Sequence, residues 1–174
     1  MFSKLQTYRL ELKLISFEDR EFIFSQFSNE VVNRYLFDAE PLVDLFGADD
    51  IIDFYINSMP VIQCRWILVL KSNNEKIGTC GFHCWDIRND TVEIGYDLNP
   101  DYWHQGYMQE ALAEIITYAF SSMQVKQIDA CIYTGNERSI SLVEKLGFIF
   151  QGQMRDEIFR GDIYPHKIYS LTAA

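Results

Sequence analysis

The stretch "EIGYDLNPDYWHQGYMQEAL", residues 93–112, joins a strand pattern to a helix pattern and decides the architecture around it. Its first part alternates as a strand does, and its last part opens an amphipathic helix. Gly106 lies just before the helix, where first-turn backbone N–H groups lack helical partners and carry partial positive charge. A glycine there lets an anion approach the backbone. The stretch is therefore either an ordinary strand-to-helix loop or a cradle for a phosphate.

This loop matches neither of two common phosphate-binding motifs. No Gly-Lys-Ser/Thr follows Gly106, so it is not a P-loop, and the three spaced glycines of a dinucleotide fingerprint are missing. A single glycine is common in strand-to-helix loops. The residues by themselves leave both interpretations open.

Downstream of the loop, the pattern predicts a helix, a strand, a second helix and a hairpin. The segment "KQIDACIYT" alternates as a strand, and "NERSISLVEKLGF" is a helix with Asn136 as its N-cap and Gly147 just past its end. The final two strands join at "RGD", which is a hairpin turn here. In the first of these helices, one face carries Leu112, Ile115, Ile116, Ala119, Phe120 and Met123.

Upstream, the segment "TYRLELKLI" (7–15) predicts a strand, and Ser16 with Asp19 forms a capping box that opens a helix through residue 28. Further helical segments are predicted at 29–37 and from Asp49 or Asp50 to a point before Pro60. An antiparallel meander of three strands follows at 65–70, 77–85 and 91–98.

This order of elements indicates one mixed α/β domain over residues 1–174. Its sheet is expected to be mostly antiparallel, with about seven strands and about four helices. The unit from 91 to 133 supplies one parallel strand pair. A length of 174 residues and 48% hydrophobic content suit a single core.

Composition limits the function classes. The chain has 15 basic and 25 acidic residues and a net charge of -10, so it has no general attraction for nucleic acid. An acidic surface favours cationic partners weakly, although most acidic proteins are simply soluble. The N-terminal segment alternates polar and apolar residues, which predicts neither a signal peptide nor a membrane span. A cytoplasmic location and no membrane partner are expected.

The cysteines do not predict a metal site. Cys80 and Cys84 flank His83 in "CGFHC", and residues four apart on a strand are separated by roughly 13 Å. His83 is expected on the face opposite to both cysteines. We therefore predict reduced thiols and no metal.

Two glycines interrupt the predicted meander. Gly81 and Gly95 stand inside strands, where glycine usually costs stability. The sequence indicates a bulge or a close backbone approach at each, and an ordinary bulge without a ligand is an equal alternative.

Together, residues 93–120 and "NERSISLVEKLGF" resemble the paired signature of the GCN5-related N-acetyltransferases (GNAT), and more narrowly their Rim-type branch, which acetylates ribosomal-protein N-termini and other amines. The segments "TYRLELKLI" and "IYSL" are similar to that branch's two ends. The resemblance implies the GNAT fold, a splayed parallel strand pair and acetyl-CoA as the acetyl donor, with CoA as product.

The resemblance also implies which residues bind the cofactor. Backbone N–H groups of the loop would hold the pyrophosphate, the preceding strand would pair with the pantetheine arm, and an asparagine would bond near the pantetheine end. The residues so implied are His104, Gln105, Gly106, Tyr107 and Met108 in the loop, Tyr96, Asp97 and Leu98 in the strand, and Asn136.

The implied reaction transfers acetyl directly from the thioester to an amine, without an acyl-enzyme. Glu93 is the candidate base, and a solvent-facing strand carboxylate is the alternative. A backbone N–H of residues 96–98 would stabilise the tetrahedral oxygen. Ser139 is the candidate donor to the sulfur, or a purely structural helix-start serine, because Val143 stands where many relatives have tyrosine.

The acceptor is expected to be a protein N-terminus or a small amine, recognised by residues 16–59 and the closing hairpin. A catalytically silent acyl-CoA-binding or protein-interaction module is the alternative. It is favoured by His104 and Met108, which replace the branch's usual small residues, and by Val143, which stands where many relatives have tyrosine. A homodimer is common among relatives. Acidic residues that fit either a cationic acceptor or a solvated face are Asp38, Glu40, Asp44, Asp49 and Asp50.

Overall fold

The computed structural model describes residues 2–173, and within them eight strands form one sheet in the order β1-β2-β3-β4-β5-β6-β8-β7. The strands are β1 (Leu5–Gln6), β2 (Leu10–Leu14), β3 (Cys64–Leu70), β4 (Lys76–Asp86), β5 (Thr91–Leu98), β6 (Gln127–Tyr133), β7 (Ile149–Phe159) and β8 (Asp162–Thr172). The α-helices are α1 (Arg20–Phe27), α2 (Glu30–Asn33), α3 (Leu45–Ile56), α4 (Tyr107–Tyr118) and α5 (Glu137–Lys145).

The predicted fold class is confirmed, with one more strand and one more helix in the described residues than expected. The extra strand is β1, which lies before the predicted strand at 7–15, and that predicted strand is shortened to β2. Leu10 donates its N–H to the Thr7 hydroxyl at 3.0 Å, which forms a turn between β1 and β2. Tyr8 lies in that turn and is 92% exposed, so it does not share the buried face of Leu10 and Leu12.

Two helix boundaries differ from the prediction. Helix α3 begins at Leu45 because the Asp44 carboxylate accepts from the Gly47 N–H at 3.1 Å, so Asp49 and Asp50 lie inside the helix. Helix α2 covers four residues instead of 29–37. The capping box is confirmed, since the Asp19 carboxylate accepts from the Ser16 N–H at 2.9 Å.

The antiparallel meander β3–β4–β5 is confirmed. At Gly81 the backbones of β3 and β4 approach each other closely. A Cβ added at Gly81 would lie 2.1 Å from the Cys64 carbonyl oxygen. Gly95 pairs directly with Gly81 and faces the His83 ring, which would lie 3.2 Å from an added Cβ. The register shift between these strands falls elsewhere, between His83 and Asp86.

The predicted parallel pair is also confirmed, and it is short. Strands β5 and β6 pair only from Thr91 with Gln127 to Glu93 with Asp129. Strand β5 then continues to Leu98, and no pairing with β6 is present there in the described residues. One edge of residues 94–98 is therefore open beside the start of α4.

Hydrophobic packing covers both faces of the sheet. The α4 side chains Leu112 and Ile115 join the main core with Trp66, which confirms the predicted helical face. On the opposite face, Ile23 of α1 and Ile52 of α3 pack in a second cluster. Within residues 2–173, no helix has the length and apolar character needed to cross a membrane.

Replacing Gly81 with alanine tests the close approach. We expect Gly81→Ala to lower the free energy of unfolding by about 3 kcal/mol, because its Cβ would overlap backbone atoms that cannot rotate away. Urea unfolding measures the change. Gly152→Ala is the matched control, since its φ is +90° and an added Cβ contacts nothing within 4 Å. We expect a loss there of about 1 kcal/mol. Equal losses would contradict the close approach.

Candidate functional site

Two clefts meet where β5 leaves β6. The first, which we call the loop cleft, has a volume of about 720 Å³ and lies between residues 96–98, the 102–109 segment and the start of α5. The second, the acidic cleft, has a volume of about 560 Å³ and lies over residues 93–97 and 130–133. The residues that line both clefts are Tyr35, Leu36, Tyr96, Asp97, Asn136 and Ser139.

The sequence-predicted residues lie at these clefts with one exception. Glu93 lines the acidic cleft, and Ser139 lies at the junction. Gln105 does not line the loop cleft, because its side chain donates to the Asp101 carbonyl at 3.1 Å. The other predicted cofactor residues, Tyr96, Asp97, Leu98, His104, Gly106, Tyr107, Met108 and Asn136, all line the loop cleft.

The loop before α4 is fixed by its own side chains and backbone. The Trp103 indole donates to the Leu98 carbonyl at 2.9 Å, which ties the loop to the end of β5. His104 and Gly106 both have left-handed backbones, with φ of 61° and 78°. A histidine at 104 therefore adopts a conformation that usually favours glycine. His104 therefore differs from the branch's usual glycine in its side chain, while its backbone keeps the left-handed conformation that glycine adopts readily.

Helix α4 presents its N-terminus to the loop cleft. Gly106 is the N-cap, and its carbonyl accepts from the Glu110 N–H at 3.0 Å. The first-turn N–H groups of residues 107–109 have no carbonyl partner within the helix. Met108 is only 6% exposed and its side chain belongs to the main core. The larger side chain at 108 therefore does not fill the cleft, and an anion can approach the helix end.

Arg9 braces this loop from the β1–β2 turn. Its Nη1 donates to the Gln105 carbonyl at 2.9 Å, and its Nε lies 2.6 Å from Glu110 Oε2. The guanidinium also lies 4.3 Å above the Tyr107 ring. Burial alone would raise the pKa of Glu110, but hydrogen bonds from Thr7 and Arg9 lower it. Sequence analysis missed Arg9 because its partners lie about a hundred positions away, where no local pattern connects them.

Two basic side chains line the loop cleft, together with the exposed Glu137. The Arg138 guanidinium stacks 3.6 Å above the Trp103 ring, and Lys145 lines the same cleft. A cation held over an indole keeps its charge available to an anion. Together with the helix N-terminus, these groups fit a phosphate-bearing ligand.

Asn136 and Ser139 are held at the junction by α5. The Asn136 side chain accepts from the Ser139 N–H at 3.3 Å, which confirms the predicted N-cap. The Tyr96 hydroxyl donates to the Ser139 carbonyl at 3.4 Å, and burial raises the pKa of Tyr96. The roles of Asn136 in ligand binding and of Ser139 as a donor stay predictions.

Asp97 anchors two helices to β5. Its carboxylate lies 3.0 Å from Arg65 Nη1, and it accepts from Gln26 of α1 at 2.8 Å and from the Thr79 hydroxyl. Arg65 in turn donates to the Tyr55 hydroxyl of α3 at 2.9 Å. Burial raises the pKa of Asp97, and the charge of Arg65 and these hydrogen bonds offset part of the rise. The side chain is thus structural, and only its backbone faces the open edge.

Glu93 is enclosed by two partners in the acidic cleft. Both of its oxygens accept from Arg155, at 2.7 and 3.0 Å, and His83 Nε2 lies 3.5 Å from Oε2. Burial alone would raise the pKa of Glu93, but the hydrogen bonds and charges of His83 and Arg155 lower it to about 2. A carboxylate with so low a pKa is a weak proton acceptor. The role of Glu93 as a base stays a prediction.

The expected separation of His83 from Cys84 is wrong. Cys84 has a left-handed backbone, with φ of 52°, at the register shift in β4. This single residue cancels the strand alternation, so ligand atoms of His83, Cys84 and Glu93 lie within 4.8 Å of one another. Because Arg155 occupies both oxygens of Glu93, a cation there would compete with a guanidinium. Burial and then the charge of Glu93 raise the pKa of Cys84.

The acidic residues divide into two groups. Asp44 caps α3 and Asp49 pairs with Arg20 at 2.7 Å, so neither lines a cleft. Asp38, Glu40 and Asp50 line the acidic cleft, as does Glu157, which sequence analysis missed. Glu40 is paired with Arg160. Within residues 2–173, the other three form no ion pair, and this leaves the cleft with uncompensated negative charge.

Comparison with known proteins gives consistent results. The family model of the acetyltransferase (GNAT) domain matches residues 9–149. YoaA, an uncharacterized N-acetyltransferase of Bacillus subtilis, is 33% identical over 174 residues, which cover 99% of this chain and 98% of that protein. YdaF of Bacillus subtilis, whose name places it among ribosomal N-acetyltransferases, is 29% identical over 92 residues, which cover 53% of this chain and 50% of that protein.

A solved structure agrees in fold. Spermidine N-acetyltransferase from Vibrio cholerae, in complex with CoA and spermine, superposes with a TM-score of 0.82. Its identity is 17%, and the match covers 94% of this chain and 95% of that one. The resemblance inferred from the motifs is thereby confirmed, and so is the predicted enzyme class of N-acetyltransferase.

Removing the charge of Asp97 tests the anchor beneath the junction. We expect Asp97→Asn to lower the free energy of unfolding by about 3 kcal/mol, because Arg65 stays charged and buried without its carboxylate. Urea unfolding measures the loss. Glu40→Gln is the matched control, since it breaks an arginine pair whose side chains are 62% and 59% exposed. We expect a much smaller loss there. Similar losses for the two variants would refute the anchoring role.

Proposed function

This chain belongs to the acetyltransferase (GNAT) family, and we propose that it transfers acetyl from acetyl-CoA to a cationic primary amine in a ternary complex. One observation carries the proposal. The open edge of β5 and the N-terminus of α4 border a cleft that meets a second, acidic cleft. Such a junction admits two ligands from opposite sides. We take residues 1–174 as a single domain with this activity.

The loop cleft would hold the CoA part of the acetyl donor. The open backbone edge at Tyr96–Leu98 suits the pantetheine arm, which bonds as an added strand does. The first-turn N–H groups of α4, with Gly106 before them, suit the pyrophosphate. Arg138 and Lys145 would add positive charge, and Asn136 lies where the arm reaches the junction. Because Met108 is turned into the core, it presents no obstacle.

The acidic cleft would bind the acceptor. Asp38, Asp50 and Glu157 leave it with negative charge, which attracts an ammonium group. Aromatic residues such as Phe54 and Tyr133 line the same cleft and suit the carbon chain of an amine. The spermine bound in the Vibrio cholerae enzyme is a ligand of this charge class. A polyamine therefore fits the cleft better than a neutral amine, and a basic peptide N-terminus is the other acceptor of the same chemistry.

The reaction needs a base, an oxygen-stabilising donor and a route for the leaving thiolate. The acceptor nitrogen loses a proton and bonds to the acetyl carbon, and the carbon–sulfur bond breaks to release CoA. A backbone N–H of residues 96–98 would stabilise the negative oxygen. The Ser139 hydroxyl would donate to the sulfur. Glu93 stays ionised beside Arg155 and lies on the strand that leads to the junction.

Cofactor binding and turnover test this proposal directly. We expect CoA at a hundredfold excess over its Kd to stabilise the fold by about 2.7 kcal/mol, seen as a rise in Tm. Acetyl-CoA consumption should then follow with spermine or a basic peptide and be slower with a neutral primary amine. No Tm rise with CoA would exclude the cofactor assignment. A Tm rise without acetylation of any amine would favour a silent binding module instead.

The Arg9 brace offers a second test. We expect Arg9→Ala to raise KM for acetyl-CoA about tenfold, equivalent to about 1.4 kcal/mol, because the loop loses its preorganised shape. The kcat should change little, since Arg9 lies away from the junction. Steady-state kinetics and calorimetric titration with CoA measure both effects. Arg88→Ala, in the exposed β4–β5 turn, is the control and should leave both values unchanged. An unaltered KM in Arg9→Ala would show that the brace does not support binding.

A further inference from the structure

We propose that His83 is the group that takes the proton from the acceptor amine, and that Glu93 and Arg155 position it. The proposal rests on the proposed acetyl transfer and assigns a residue to its proton-transfer step. It follows from the way three side chains are arranged on the floor of the acidic cleft.

Glu93 is poorly suited to accept the proton itself. Arg155 donates to both of its oxygens, so an acceptor ammonium would compete with a guanidinium for either one. Its pKa of about 2 leaves it ionised across the pH range in which a primary amine becomes reactive. A base works best when its pKa is near the working pH. Glu93 is instead suited to hold a neighbour in place.

His83 is the neighbour that Glu93 holds. The two residues are direct partners across β4 and β5, and His83 Nε2 lies 3.5 Å from Glu93 Oε2. We assign the Nε2 proton to this contact from its geometry. Nδ1 is then the nitrogen with a free lone pair. In serine hydrolases a carboxylate likewise holds one imidazole nitrogen, there Nδ1, while the other nitrogen acts as the base, and it stabilises the imidazolium that forms.

Gly95 lets the imidazole reach along the strand toward the junction. A Cβ at position 95 would lie 3.2 Å from His83 Cε1 and 3.4 Å from Nδ1, so a larger residue would press on the ring. Gly95 lies within the open edge of residues 94–98 and immediately precedes Tyr96. His83 and Gly95 both line the acidic cleft, so an acceptor amine bound in that cleft would lie beside the imidazole. The contact between Gly95 and the ring also accounts for a glycine inside β5.

The other groups that face His83 do not take over this role. Burial raises the pKa of Cys84, and it raises the pKa of Cys131 to about 11, so both thiols stay neutral at pH 7. From β7, Arg155 and Glu157 carry opposite charges near the same floor. On the facing wall, the charged residues lining the cleft are Asp38, Glu40 and Asp50.

The proton balance of the step is complete without another reactant. The acceptor enters as an ammonium and first releases one proton to solvent; His83 Nδ1 then accepts one proton from the neutral amine nitrogen as the nitrogen–carbon bond forms, and Glu93 stabilises the resulting imidazolium. The carbon–sulfur bond then breaks, and the thiolate takes a proton from water or from the Ser139 hydroxyl, which regains one from solvent. The His83 side chain is 36% exposed, so the imidazolium can return its proton to solvent.

Kinetics of His83→Gln test the proposal. We expect kcat with spermine to fall about 100-fold, the size of a general-base contribution. The KM for acetyl-CoA and the Tm rise with CoA should not change, because the loop cleft is intact. The increase of kcat/KM with pH that reports the histidine in the wild type should be lost. Glu21→Gln, on the exposed face of α1, is the control and should match the wild type.

Two further variants keep the test decisive. His83→Ala should regain activity when imidazole is added, which a purely structural role does not predict. Glu93→Gln should lower kcat but retain the pH dependence, because the imidazolium loses the carboxylate that stabilises it. If His83→Gln keeps the wild-type pH profile and Glu93→Gln loses it, the base is Glu93 and the proposal is overturned.

The outcome also separates this proposal from the proposed function. If the wild-type enzyme acetylates no amine, both the proposed acetyl transfer and the role of His83 are wrong. If the wild-type enzyme is active, and the His83→Gln variant has equal activity and an equal Tm rise with CoA, only the role of His83 is wrong.

Discussion

The end of pairing between β5 and β6 after Glu93 is the constraint on which the rest of the site depends. An unpaired strand edge leaves backbone donors and acceptors that need water or a ligand as partners. Here the edge ends beside the first turn of α4, whose N–H groups have the same need. Both sets of groups line one cleft, so a single extended anionic ligand can satisfy them together.

Such an edge is useful only if β5 is held rigidly, and its side chains do this from both faces. On one face, Tyr96 packs on the main core and bonds to α5. On the other, Asp97 ties β5 to α1 and α3, and Glu93 ties it to β7 through Arg155. The side chains are thus fully engaged while the backbone edge is left open. Binding energy is therefore not needed to order the strand.

The sequence predicted those parts of the site that depend on near neighbours. The Asn136 cap, the buried face of α4 and the hairpin turn follow from spacings of a few residues, and each is confirmed. It could not predict pairs such as Arg9 with Glu110 or Arg155 with Glu93, which are 101 and 62 positions apart. The error at Cys84 has another cause, because one left-handed residue reverses the alternation on which the inference relied.

The distribution of charge favours direct transfer over a covalent enzyme intermediate. Arginines neutralise the carboxylates under the junction, as Arg65 does for Asp97, and the remaining negative charge lies in the acceptor cleft. Basic groups border the loop cleft instead. Cys131 is the cysteine on the floor of the acidic cleft, and burial raises its pKa to about 11, so it is not a thiolate near neutral pH. A neutral thiol is a poor nucleophile toward a thioester. A deprotonated amine is the stronger nucleophile, so the acetyl transfer that we propose needs no intermediate carrier on the enzyme.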